Sequence, residues 1–102
     1  MTGIDTAAFF GAVLKTIAST RNHSTDQGEY DSGVLEPARR IRETEKEAGD
    51  RPLTSAEAEQ VLGLLETTLR TKRTPDEERE YYLQYIEKVA GISRASLSVS
   101  GW

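Results

Sequence analysis

The sequence has no cysteine and a single histidine. The first absence excludes disulfide scaffolds, thiolate zinc sites and cysteine nucleophiles. The second excludes any site that needs two imidazoles. No metal and no cofactor is expected. Glycine-rich phosphate loops are also missing. No apolar run approaches the roughly 20 residues of a membrane-spanning helix. No basic stretch precedes the first apolar segment, so a signal peptide is not expected. The expectation is a cytoplasmic, soluble chain without membrane contact. Positive charge is scarce too, with 13 Lys and Arg against 17 Asp and Glu and a net charge of −4. Affinity for nucleic acid comes mainly from lysine and arginine on phosphates, so general nucleic-acid binding is disfavoured.

What remains is a chain of 102 residues, 36% hydrophobic and 29% charged. That length makes one domain, residues 1–102. Four segments carry helical periodicity, and the expected fold is all-α, a small four-helix bundle with room for a short fifth helix.

The first helix is predicted from Thr6 to Ser19, capped by Asp5. Phe10, Val13, Leu14 and Ile17 follow helical spacing. Ala8, Phe9 and Ala12 lie off that stripe, so the helix is apolar almost all round. Such a helix is either central in its own bundle or shared with a partner. Residues 20–32 form the longest polar stretch and read as a flexible loop. The second helix is predicted to start near Glu36 and Pro37, since proline suits the first helical position. It ends at Gly49, a natural left-handed terminator. Its apolar stripe is thin and its surface heavily charged. The spacing offers Glu36–Arg40 and Arg39–Glu43 as pairs, while Arg42 and Lys46 repel.

The third helix opens on Thr54 with Glu57 three residues later, the capping-box pattern. Ala58, Val61, Leu62, Leu65 and Leu69 form its stripe, and Leu64 sits well off it. Arg70, Lys72 and Arg73 at its end read as charge complementing the dipole. The fourth helix repeats this start with Thr74, Pro75 and Glu77. Tyr82, Leu83, Tyr85, Ile86, Val89 and Ala90 face one way, with Tyr81 at the edge. Gly91 ends it. Residues 92–102 read as a tail or a short helix.

Three constellations bear on function. His23, with the loop acids Asp26, Glu29 and Asp31, carries the enzymatic alternative, through a general base. No serine or cysteine stands marked as its partner, and the acids do not match a calcium loop. A solvated polar loop accounts for the same residues, and the chain is expected not to be an enzyme.

The string Val89-Ala90-Gly91-Ile92-Ser93-Arg94-Ala95-Ser96-Leu97 joins a helix end, a glycine turn and a short Ser/Arg-rich stretch. In this it resembles the turn of helix-turn-helix regulators. The resemblance implies a dimeric DNA-binding regulator using residues 87–99, with Ser93, Arg94 and Ser96 facing a groove. Glu87 departs from the pattern, which places a small residue there so that the helices pack closely. The plainer reading is a helix closed at Gly91, with Ile92 in hydrophobic contact.

The apolar surplus points elsewhere. A small chain cannot hide every apolar side chain, and exposed apolar clusters mark association surfaces. Phe9, Ala8, Ala12, Leu64 and Tyr81 are therefore the candidate partner-binding residues. The expected function is that of a protein-protein interaction module. It would act by helix-face packing against a protein partner or, as a homo-oligomer, against itself.

Overall fold

Asp5 opens the first helix by accepting a hydrogen bond from the Ala8 amide at 3.1 Å, as its side-chain chemistry predicts. The computed structural model describes residues 4–23, 25 and 27–92, with residues 27 and 29–35 described by their backbone alone. The elements are α1 (Thr6–Ser19), α2 (Gln27–Ala48), α3 (Ser55–Thr71) and α4 (Asp76–Ala90). Together they make a small all-α four-helix bundle. Among the described residues no helix is long and apolar enough to cross a membrane.

The helices pair unequally: α2 packs chiefly on α3, α4 on α1, and α1 also touches α2 and α3. This central position widens the buried arc of α1. Thr6, Phe9, Phe10, Ala12, Val13 and Thr16 are all buried, while Gly11, Lys15, Ala18 and Ser19 line the exposed side. The expected stripe of Phe10, Val13, Leu14 and Ile17 is therefore rotated toward Phe9, with Leu14 and Ile17 only half-buried. Phe9 and Phe10 meet edge to face with centroids 5.5 Å apart, a favoured aromatic geometry.

Two boundaries differ from the expected ones. α2 begins at Gln27, so Pro37 lies inside the helix and is buried. Residues 27–32 of the expected loop are helical. A helix-interior proline removes one ladder bond and crowds the carbonyl four residues back, here that of Gly33. The tertiary contact of α2 with α3 outweighs that local cost. At the start of α4 the expected capping box does not form. Pro75 takes the cap position without a side-chain bond, and the Thr74 hydroxyl is buried without a partner.

The other cap works as read. The Thr54 hydroxyl accepts from the Glu57 amide at 3.1 Å, and the Glu57 carboxylate accepts from the Thr54 amide at 3.0 Å. The same carboxylate holds Arg51 through two bonds of 2.7 Å. Just before this cap, Leu53 is fully buried and pairs with Ile4 in an antiparallel bridge, with both backbone bonds at 3.0 Å. The Thr6 hydroxyl donates to the Arg51 carbonyl beside it. The start of α1 is thereby tied to the α2–α3 connection.

Candidate functional site

α4 buries Leu83 and Ile86 and turns its opposite side outward. Its first turn carries Asp76, Glu77 and Glu78 at the positive end of the dipole. Arg79 donates to Asp76 at 2.6 Å and lies 4.0 Å from Glu66 of α3, which also holds Arg70 at 2.6 Å. These contacts help fix the start of the helix. At the other end Gly91 is left-handed (φ 67°), and the Ile92 amide donates to the Glu87 carbonyl at 3.0 Å. That is the glycine-closed helix end, and Ile92 packs on the core.

Tyr81 is 66% exposed and Val89 is 43% exposed. Among the described residues they are the exposed large hydrophobic side chains, and both stand on α4. Eight residues apart, they share one side of the helix, with half-buried Tyr85 between them. Tyr81 packs edge to face on Tyr82, with centroids 5.2 Å apart. The Lys15 ammonium of α1 lies 5.6 Å from the Tyr85 ring centroid, within cation–π range. A shallow cleft of about 250 Å³ is lined by Tyr81, Gln84, Tyr85 and Lys88. The arrangement offers ring faces, an aliphatic side chain and two ammonium groups. Those groups can bind, and nothing in the set activates a nucleophile.

No family model, curated protein or solved structure matches this chain. Its residues alone carry the reading.

Of the five candidate residues, Tyr81 is on this surface. Phe9 and Ala12 are buried inside the chain's own core and present nothing to a partner. The correction has a simple cause: α1 is flanked by the other three helices, so residues off its stripe are still covered. Ala8 and Leu64 are half-buried, and Leu64 packs against the core. Val89, expected with the core-facing set, is instead exposed. Ser93, Arg94, Ser96 and Asp26 lie outside the described residues, as do the side chains of Glu29 and Asp31. Residues 93–102 of the expected tail or fifth helix lie there too.

His23 stands at a second polar cluster. Its backbone amide donates to the Lys72 carbonyl at 2.6 Å, and its Nε2 is 3.8 Å from a Glu78 carboxylate oxygen. Lys72 is buried, and its ammonium donates to the Ile17 carbonyl at 2.6 Å, the Thr20 carbonyl at 2.8 Å and the Thr20 hydroxyl at 2.9 Å. Three donors meet three acceptors at the C-terminal end of α1, where a cation complements the dipole. Burial pushes the Lys72 pKa down, and the charge of Glu78 opposes that shift. The basic run after α3 thus divides. Arg70 pairs within its helix, Lys72 closes another helix, and Arg73 adopts a left-handed φ of 58°.

The charged face of α2 borders a cleft of about 510 Å³ that includes Leu14, Arg39, Arg42 and Lys46. Arg39 is held there by Glu36 at 2.7 Å and Glu43 at 3.6 Å. The expected Glu36–Arg40 pair is replaced by Glu36–Arg39.

Proposed function

We propose that this chain is a protein-protein interaction module whose contact surface is the outer side of α4, centred on Tyr81, Tyr85 and Val89. The observation that carries the reading is the placing of Tyr81 and Val89. These exposed large hydrophobic side chains lie on one side of one helix, not scattered over the surface. Single exposed apolar residues are ordinary, whereas a grouped set marks a contact surface. Tyrosine suits such a surface, because its ring supplies area and its hydroxyl a hydrogen bond. The mechanism is helix-face packing with a polar rim, supplied here by Gln84 and Lys88. Ala8 and Leu64 are not needed for it.

The test is a photoreactive benzophenone side chain at Gln84, in cells expressing the full chain. The expected result is a light-dependent adduct of discrete mass that Tyr81→Ser removes. An adduct with another protein or with a second copy supports the reading. The absence of any adduct, or one indifferent to Tyr81→Ser, overturns it.

A further inference from the structure

We infer that the partner of the α4 surface is a different protein, presenting a segment in which carboxylates flank apolar side chains. This rests on the reading of that surface as a contact site and names the chemistry of what it contacts. The protein carries a net charge of −4, yet the cations beside Tyr81 and Tyr85 are the exposed Lys15 and Lys88. Among the described residues neither ammonium takes part in an ion pair, although most cations of α3 and α4 do. The nearby carboxylate of Glu80 accepts from Gln84 at 3.3 Å, and Glu87 is engaged elsewhere. The two lysines are thus left for groups outside the chain, on either side of an aromatic and aliphatic strip.

Charge complementarity of this kind selects partners and sets their register more than it adds raw affinity. A segment with apolar side chains on Tyr81, Tyr85 and Val89 would bring its carboxylates to Lys15 and Lys88. A second copy fits less well, because its own Lys15 and Lys88 would meet the same two cations across a symmetric contact. A nucleic acid fits less well again. Its continuous phosphate charge would run past Glu77, Glu80 and Glu87 on the same helix, where discrete carboxylates need not.

The experiment sequences the segment captured by the benzophenone at Gln84 and repeats the capture with Lys15→Glu/Lys88→Glu and with Lys15→Arg/Lys88→Arg. All three proteins are checked for unchanged helical circular dichroism and urea midpoint, which both exposed positions permit. The expected segment belongs to another protein and has Asp or Glu on both sides of apolar residues. The captured yield should fall roughly ten-fold in the glutamate variant, as two contacts turn from attractive to repulsive, and persist in the arginine variant. A neutral or basic segment, a second copy, a nucleic acid, or a yield indifferent to charge reversal overturns the inference while leaving a contact surface in place. The absence of any adduct removes the contact surface itself, and the inference with it.

Discussion

The Lys72 ammonium donates to both the hydroxyl and the carbonyl of Thr20, at 2.9 and 2.8 Å, so a cation from the turn after α3 closes the end of α1. Replacing Lys72 by methionine keeps the aliphatic stem but leaves the Ile17 and Thr20 carbonyls without that donor. Unsatisfied buried acceptors cost about 1 to 3 kcal/mol, and Lys72→Met should lose stability in that range by urea unfolding. The pH dependence has a definite sign. Burial lowers the folded pKa of Lys72 below the ordinary 10.5. Between the two values the unfolded chain holds the extra proton, so stability from this group rises with pH. The wild-type advantage over Lys72→Met should therefore grow as pH climbs toward 10.5. A constant difference across that window would contradict the burial of the charge.

Glu57 gives the opposite case. The Arg51 guanidinium, then the Thr54 amide, hold its carboxyl down from the ordinary 4.5 to about 2. The folded state keeps this group ionised where the unfolded state takes up a proton. Its contribution is present above 4.5 and is lost as pH falls from there toward about 2. Glu57→Gln should flatten this stretch of the acid unfolding curve followed by circular dichroism. A carboxyl titration by nuclear magnetic resonance should place Glu57 well below the other glutamates. A midpoint near 4.5 would show that the Arg51 pair does not persist in solution.

The Thr74 hydroxyl is buried with no hydrogen-bond partner among the described residues. An unmatched buried polar group is a cost to folding, and removing it while keeping shape is neutral or favourable. Thr74→Val retains the β-branched outline. It should leave the urea midpoint unchanged or raise stability by up to about 1 kcal/mol. A clear loss would mean that the hydroxyl has a partner, such as a bound water.

The caps at Asp5 and Thr54–Glu57 and the closures at Gly49 and Gly91 were legible because each depends on residues within one turn. Features set by neighbouring helices were not. Phe9 looked free because periodicity describes one helix, whereas three other helices surround it. Pro37 looked like a start because local propensity favours one, and packing on α3 carried the helix through it. Thr74 looked like a cap, but its hydroxyl faces inward. Lys72 was indistinguishable from Arg70 and Arg73 in sequence, since its acceptors are on α1, 52 and 55 residues away. α3 closes on Arg73 in the left-handed region, where glycine would have signalled the turn. At the candidate surface Tyr81 stood out by its place on the edge of the α4 stripe. Val89 and the Lys15–Tyr85 contact did not, because both depend on how α4 lies against α1.

Phe9 and Tyr81 separate core from surface most sharply. Phe9 is fully buried and Tyr81 is 66% exposed. Truncating a buried phenylalanine removes apolar burial and leaves a cavity, at about 3 to 5 kcal/mol. Marginal stability in a chain this small makes that a large fraction of the whole. Phe9→Ala should therefore shift the urea midpoint strongly downward, and Phe9→Asp should not fold. Tyr81→Ala should change stability by no more than about 0.5 kcal/mol, while removing the adduct formed from Gln84. If Phe9→Ala were instead mild, α1 would not be the central helix, and its Phe9 side would again become a candidate contact surface. If Tyr81→Ala were as damaging as Phe9→Ala, Tyr81 would belong to the core, and the α4 surface would lose its anchor.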